Sequence, residues 1–191
     1  MTNQCTEIEA RLVDEIFRRL AGDLEMVTDR KVAVQSVDIG RAKRRPAGAG
    51  SVHVSFKIAL ATAANVEHGC MLVPLPDALS LASYLLMLGD DVVQARRNET
   101  TPDPALKDAL MEVGKFVADA IDAALRGVGI EQIRSRSEGC QGVRANVRPA
   151  FAYREGSDLV VGLARVQVHT WPACTMILMI PALAETSALA A

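Results

Sequence analysis

The sequence has 191 residues, of which 50% are hydrophobic and 23% are charged. This balance excludes a disordered chain, and the length suits one domain, or two closely fused halves, with a sizeable core. The formal net charge of -2 argues against a dedicated nucleic-acid-binding protein, because such proteins are usually basic.

Neither the start of the chain nor its most apolar run predicts a membrane segment. The opening MTNQCTEIEARLVDEIF is polar and acidic and lacks the apolar centre of a signal peptide. The run ACTMILMIPALA is interrupted by Pro181 and is shorter than the roughly 20 apolar residues that a membrane span needs. We therefore expect a soluble, cytoplasmic protein without a membrane partner.

The first predicted elements are a helix from Thr6 to Thr28 and a strand, KVAVQSVDI. Valine-rich alternation predicts the strand. The helix is indicated by apolar residues that recur every four positions and form one apolar stripe on a surface helix: Ile8, Leu12, Ile16, Leu20 and Leu24.

A basic segment, GRAKRRPAGAG, follows the first strand and predicts a loop because it contains proline and several glycines. A solvated hairpin tip is the simpler interpretation of its charges. A patch for an anion or an acidic partner is the alternative, although the charges are too few to imply DNA binding.

Two strands and two helices are predicted next. SVHVSFKIALATA and HGCMLVPLP predict paired strands, and PDALSLASYLLMLGDD predicts a helix from Pro76 or Asp77 to Gly89. VVQARRNETTPDP predicts a connector. A second long helix is expected from Asp103 or Pro104 to Gly127, because Asp-Pro is a favourable helix start.

The tail predicts mainly β structure. Its candidate strands are IEQIRSR, GVRANVRPAFAYR, SDLVVGLARVQVHTW and CTMILMIP, with a turn at Glu155–Asp158. The final ALAETSALAA predicts a short helix or a frayed end.

A weak internal repeat links the two parts of the chain. GCMLVPLPDALSLA and ACTMILMIPALAETSALA both run from a cysteine through an apolar strand and a proline to an Ala/Leu-rich segment. The halves would be residues 1–90 and 103–191. Such a repeat predicts a pseudo-twofold α/β fold with the two long helices side by side on one sheet face.

The four cysteines and three histidines do not have the spacing of metal ligands. We expect Cys70 and Cys174, which each open an apolar run, to be buried thiols. The sequence therefore predicts no metal ion and no cofactor.

The second long helix carries a stripe of charge opposite its apolar stripe. The apolar positions run from Leu106 to Ala124, and the charged positions are stepped four, three, four and three residues: Asp108, Glu112, Lys115, Asp119 and Asp122. A solvated face is the simplest interpretation, because charges at these spacings form ordinary intrahelical pairs. Gly114 costs about 1 kcal/mol relative to alanine in a helix, so we expect it to permit a close approach by another backbone.

LPDALSLASYLLMLGDD, the connector and PALKDALMEVGKFVADAIDAAL together resemble the CheC/CheX/FliY family of chemotaxis phosphatases. That family carries Asp/Ser-x-x-x-Glu-x-x-Asn on a long exposed helix, and Asp108, Glu112 and Lys115 occupy the three places. The likeness extends from about residue 6 to residue 183. It implies an α/β (α+β) CheC/CheX-like fold with one domain over residues 1–191. In that pseudo-twofold fold, two long helices pack on one face of a mainly antiparallel sheet.

The resemblance also implies a function in chemotaxis or another two-component pathway. In the family, the acidic residue engages a phosphorylated response-regulator receiver domain of the CheY type. The asparagine holds the water that attacks the aspartyl phosphate. The resemblance therefore places the catalytic positions at Glu112 and Lys115, and the partner-binding residues are the five of the charged stripe: Asp108, Glu112, Lys115, Asp119 and Asp122.

Lys115 departs from the family motif. A protonated ammonium donates three hydrogen bonds and accepts none, so it cannot hold the attacking water as an amide does. A second copy of the motif in the first helix is also broken, because DEIFRRLA places Arg18 and Ala21 at the Glu and Asn positions. We therefore expect docking on a receiver domain with phosphatase activity that is weak or lost.

Three further expectations complete the interpretation. The unmatched asparagine position supports, as an alternative, a non-catalytic scaffold or interaction module of the flagellar-switch or two-component type. An unrelated enzyme is disfavoured, because the sequence has no Gly-rich phosphate loop, nucleophile elbow or His-Glu metal motif. Relatives in the CheX branch form dimers, so the C-terminal strands could offer a sheet edge for a homodimer.

Overall fold

The computed structural model describes residues 5–154 and 156–183, which form four helices packed on a six-stranded antiparallel sheet. In chain order the elements are α1 (Glu7–Thr28), β1 (Val32–Ala42), β2 (His53–Ala61), β3 (Val66–Pro74), α2 (Leu75–Leu85), α3 (Asp90–Arg96), α4 (Pro104–Gly127), β4 (Arg134–Val143), β5 (Leu159–Val168) and β6 (Cys174–Pro181).

Helix α1 begins one residue after its predicted start, with Thr6 as the N-cap, and its apolar stripe is buried from Leu12 onward, whereas Ile8 is 50% exposed. The Thr6 side chain accepts a hydrogen bond from the Glu9 backbone N–H at 3.2 Å, and the Glu9 carboxylate accepts one from the Thr6 N–H at 2.9 Å. This reciprocal capping box satisfies two amide groups that a helix start otherwise leaves unpaired. The helix ends where Asp29 adopts a left-handed conformation, with φ 51°.

The sheet order is β1-β5-β6-β3-β2-β4, and every neighbouring pair is antiparallel. If β1, β2 and β3 are exchanged with β4, β5 and β6 respectively, the sheet order is simply reversed. The sheet therefore has a pseudo-twofold arrangement about its central strands, β3 and β6. Helix α1 packs on β1 and β5, α4 packs on β2 and β4, and the two helices contact each other. The predicted fold class is therefore confirmed.

Each face of the sheet has its own apolar layer. Side chains from α1, α2 and α4 pack on one face, around Phe17, Phe56 and Leu110. On the other face lies a smaller cluster that includes Cys70, Leu159 and Met179, against which Phe151 and Tyr153 of the β4–β5 loop pack. The helices and the long loop thus cover opposite faces of the same sheet.

The prediction for the segment after α4 is wrong in part. Strand β4 begins only at Arg134 and ends at Val143, and residues 144–154 form a loop instead of a strand. Asn146 has a left-handed conformation, with φ 61°, and its N–H donates to the Gly48 carbonyl at 2.8 Å. Pro149 has no N–H to donate to a neighbouring strand, so this segment does not form a strand despite its alternating pattern.

The region between α2 and α4 also differs from its prediction. Helix α2 ends at Leu85, before Gly89, because Met87 turns to φ 57° and the Leu88 N–H donates to the Ser83 carbonyl at 3.1 Å. This is a common way to end a helix. The supposed connector forms the short helix α3, which buries Val93 completely. The predicted C-terminal helix lies outside the described residues from 184 onward.

Gly162 on β5 allows α1 to lie close to the sheet. A Cβ atom at this position would overlap Val13 Cγ1 and would lie 3.0 Å from Phe17 Cε2, and both side chains are fully buried. We expect Gly162→Ala to lower the free energy of unfolding by about 1–3 kcal/mol, measured by urea denaturation. Gly142→Ala is the matched control. Gly142 is an exposed residue of β4, and a Cβ atom added there would have no other atom within 4 Å. Equal losses in the two variants would contradict this account of α1 packing.

Candidate docking surface on helix α4

The bounds of α4 follow from its own sequence. The Asp103 side chain accepts a hydrogen bond from the Leu106 N–H at 2.9 Å, and Pro104 occupies the first helical position. The predicted apolar stripe is confirmed as the buried face, with each side chain at most 3% exposed: Leu106, Leu110, Val113, Val117, Ile121 and Ala124. The rotation of the helix is therefore set by its core contacts.

The opposite face presents four charged residues to solvent, which we call the α4 ridge: Asp108, Glu112, Lys115 and Asp119. Lys115 Nζ lies 2.6 Å from Glu112 Oε1, in a pair whose side chains are 61% and 55% exposed. An exposed pair of this kind contributes at most about 1 kcal/mol, so a partner can rearrange it at little cost. Within the described chain, Asp108 and Asp119 form no ion pair.

Asp122 does not belong to this ridge, although its spacing predicts that it does. Its side chain is only 16% exposed, and its Oδ1 accepts a hydrogen bond from the Ser135 N–H at 3.0 Å. It also pairs with Arg126 and, at 3.9 Å, with Arg134. The carboxylate thus ties the start of β4 to the end of α4.

Gly114 lies on the side of α4 that faces the sheet. A Cβ atom here would lie 3.1 Å from Ser137 Oγ on β4 and 3.3 Å from Phe56 Cδ1 on β2. The close approach at Gly114 is therefore made by side chains of two strands, and not by another backbone as the sequence predicts. This contact holds the centre of α4, and with it the ridge, against the sheet.

Helix α1 offers no equivalent surface at the corresponding positions. Arg18 donates two hydrogen bonds to Glu15, at 2.7 and 2.6 Å, and Ala21 is only 8% exposed. Neither an acid nor an amide therefore faces outward at the two places where the family motif would have them.

The cysteines and histidines do not assemble into a reactive centre. Cys70 is buried as predicted, whereas Cys174 is only half-buried. Burial raises the pKa of each thiol to about 12, so both are protonated at neutral pH. His53 is 3% exposed, and its Nδ1 lies 2.8 Å from the Ser51 carbonyl oxygen. Over residues 5–154 and 156–183 there is no cluster of three potential metal ligands, and no helix there could span a bilayer.

The basic segment GRAKRRPAGAG, for which the sequence leaves an anion patch as the alternative interpretation, lines a cavity of about 520 Å³ together with a second loop that the sequence did not place beside it. It is lined by Lys43, Arg44, Arg45, Arg148, Tyr153 and Gly156. The available signal was the absence of Asp and Glu from residues 39–66 and from residues 139–154. The signal was obscured because a strand was predicted over residues 142–154, which would have separated Arg148 from the basic loop.

No family model and no curated protein matches the sequence. Solved structures match its fold over nearly the whole chain. FliY from Thermotoga maritima aligns with a TM-score of 0.68 at 12% identity, over 98% of this chain and 96% of that one. FliM in the FliM-SpeE complex from H. pylori gives 0.65 at 12% identity, over 98% and 95%. The chemotaxis protein CheX from Desulfovibrio desulfuricans gives 0.55 at 11% identity, over 88% and 99%. The chain therefore has the CheC/CheX/FliY fold.

Proposed function

We propose that this chain, which has the CheC/CheX/FliY fold, docks on a phosphorylated response-regulator receiver domain through its α4 ridge. Its activity as an aspartyl-phosphate phosphatase would be weak or lost. The observation that carries this proposal is the position of Asp108, Glu112 and Lys115. These three residues occupy the places of the family motif, and all three are exposed on one face of a firmly packed helix.

The ridge has charges of both signs, which suits a partner that presents a phosphoryl group beside a basic surface. Asp108, Glu112 and Asp119 would attract the basic groups, and the Lys115 ammonium would donate to phosphoryl oxygens. Because the Glu112–Lys115 pair is exposed, the two side chains can exchange their mutual contact for contacts with the partner.

Attraction of the phosphoryl group by Lys115 does not by itself accelerate hydrolysis. An interaction that stabilises the ground state and the transition state equally leaves the chemical step unchanged. Phosphoryl transfer to water depends on an in-line water that is held by an acceptor and a donor, which an amide supplies and an ammonium does not.

A charge reversal tests the docking surface. We expect Glu112→Arg to weaken binding to a receiver domain that carries a beryllofluoride phosphate mimic by about tenfold or more, measured by fluorescence anisotropy. Glu131→Arg, at an exposed loop position beyond α4, should bind as the wild type does. Melting temperatures of both variants should stay near that of the wild type, because neither position is buried. Wild-type affinity in Glu112→Arg would contradict the proposed surface.

A non-catalytic scaffold of the flagellar-switch type is the second candidate. The alignments with FliY and FliM, at TM-scores of 0.68 and 0.65, are better than the alignment with CheX at 0.55. The H. pylori FliM structures include complexes with FliG and with SpeE. Binding to a purified flagellar-switch protein, with no preference for a phosphorylated receiver domain, would favour this function.

A homodimer stays a prediction. The edge strands of the sheet are β1 and β4, whereas β5 and β6 lie in its interior. Of the three C-terminal strands, only β4 could therefore pair with a second copy. Sedimentation of the purified chain at several concentrations would test this association.

A further inference from the structure

We propose that the basic cavity between the β1–β2 loop and the β4–β5 loop binds a small ligand that carries two or more phosphoryl groups. We call this cavity the loop pocket, defined by Lys43, Arg44, Arg45, Arg148, Tyr153 and Gly156. Its aromatic wall, Tyr153, packs on the sheet face opposite the helices. The pocket therefore uses none of the residues of the α4 ridge.

The charge of the loop pocket is positive, and no carboxylate in the described part of the chain compensates it. Lys43, Arg44 and Arg148 form no ion pair with any described carboxylate. No acidic residue occurs in residues 39–66 or 139–154, whereas the whole chain has a net charge of -2. The next acids in the second loop are Glu155, which lies outside the described residues, and Asp158, which lies 3.8 Å from Arg41. Positive charge is thus concentrated at one site of an acidic protein, which is the condition for attracting an anion.

Arg45 holds the two loops together instead of pointing its charge into solvent. Its Nη1 donates to the Pro149 carbonyl at 2.9 Å and to the Phe151 carbonyl at 3.3 Å. Its guanidinium lies over the rings of Phe151 and Tyr153, 5.4 and 5.7 Å from their centroids. These contacts are typical of a cation that has a structural role between aromatic side chains.

Two further hydrogen bonds connect the loops. The Tyr153 hydroxyl lies 2.6 Å from the Lys43 carbonyl oxygen, and the Asn146 N–H donates to the Gly48 carbonyl at 2.8 Å. The walls of the pocket are therefore connected before any ligand arrives. A ligand then has less chain to order on binding, which favours affinity for a small molecule.

The remaining cations select the ligand class. Arginine has a planar fork that matches the oxygens of a phosphoryl group, and lysine adds a mobile point charge. Because Lys43, Arg44 and Arg148 line the same pocket, a ligand with several negative charges is favoured over a single carboxylate. The volume, about 520 Å³, is within the range of pockets for small molecules and accommodates a nucleotide. The phosphoryl groups could belong to a free molecule or to a lipid headgroup, which share this chemistry.

Calorimetric titration of the full chain with pyrophosphate and with ATP tests the site. We expect binding by the wild type and a loss of about tenfold or more in Lys43→Ala/Arg148→Ala. Arg45 is left unchanged because it holds the loops. Arg11→Ala, which removes an exposed arginine from α1, is the control and should bind as the wild type does. Glu112→Arg should also bind normally, so a failure of the proposed docking function would leave this result intact.

A second arm distinguishes the source of the phosphoryl group. Vesicles that contain phosphatidic acid should sediment the wild type and not the double variant if a lipid headgroup is the ligand. Binding of ATP or pyrophosphate without vesicle binding identifies a free ligand. The proposal would be overturned if a probe binds the wild type and the double variant with the same measurable affinity. It would also be overturned if none of the three probes binds the wild type.

Discussion

Lys115→Asn is expected to hydrolyse the aspartyl phosphate of a docked receiver domain about tenfold or more faster than the wild-type chain. The substitution replaces a side chain that only donates hydrogen bonds with one that both donates and accepts. Position 115 is exposed on a helix held by its core contacts, so the new amide would project from the same ridge without repacking the core. The Glu112 carboxylate would also be released from its pair with the ammonium.

Phosphate release from a phosphorylated receiver domain, followed over time, measures this gain. Lys115→Met is the matched control, because it removes the charge without supplying an acceptor and should remain as slow as the wild type. Adding Glu112→Ala to Lys115→Asn should abolish the gain. Rapid release by the wild type that disappears in Glu112→Ala would show that an ammonium at this position supports hydrolysis, and the proposed loss of activity would then be wrong.

Glu9→Ala is expected to lower the free energy of unfolding by about 3–5 kcal/mol, which is the usual cost of leaving one member of a buried ion pair without its partner. The Glu9 side chain has 0% exposure. It accepts hydrogen bonds from Arg41 Nε at 3.1 Å and Nη2 at 2.7 Å, and from the Thr6 N–H at 2.9 Å. Removing it leaves the Arg41 guanidinium with only the more distant Asp158 carboxylate, 3.8 Å away, and removes half of the α1 capping box.

The same carboxylate makes stability depend on pH. Burial alone raises the pKa of Glu9, but hydrogen bonds from Arg41 and Thr6 outweigh burial, so its pKa in the folded chain is lowered. Its stabilisation is therefore complete above the pKa of an ordinary glutamate, about 4.3, and is lost as the pH falls through the lowered value. Denaturant unfolding at several pH values should show the difference between wild type and Glu9→Ala shrinking in acid.

Glu15→Ala is the control for this prediction. Glu15 pairs with Arg18 and Arg19, whose side chains are 65% and 36% exposed, so its removal should cost about 1 kcal/mol or less. Comparable losses in Glu9→Ala and Glu15→Ala would mean that the buried pair contributes no more than a surface pair.

The elements with strong local signals were predictable from the sequence. Helices α1 and α4 each have apolar residues at helical spacing over more than 20 residues, together with capping residues at the start. Strand β6 is an apolar run bounded by Cys174 and Pro181. Helix α3 has only seven residues and one fully buried side chain, so its pattern is too short to distinguish from a connector. Residues 144–154 have strand-like alternation but form no strand. Pro149 has no N–H to donate, and the Asn146 N–H donates to Gly48 in the β1–β2 loop.

The two candidate sites, the α4 ridge and the loop pocket, also differ in how much of each could be predicted from the sequence. The α4 ridge follows from spacing along one helix, so its exposed members could be predicted. The burial of Asp122 could not, because it depends on the Ser135 N–H of another element. The loop pocket depends on Arg45 reaching carbonyl groups more than a hundred residues away in sequence, which no local pattern shows. Long-range contacts of this kind are the part of the molecule that required the structure.

The most direct test of the central claim is an NMR map of the receiver-binding surface. A beryllofluoride-activated receiver domain is titrated into the isotope-labelled chain, and amide chemical shifts are followed. The account predicts that the largest changes occur at Asp108, Glu112, Lys115 and Asp119, while the loop-pocket residues and the edge strand β1 change little. Changes centred on β1 or on the loop pocket, with the α4 ridge unaffected, would contradict it.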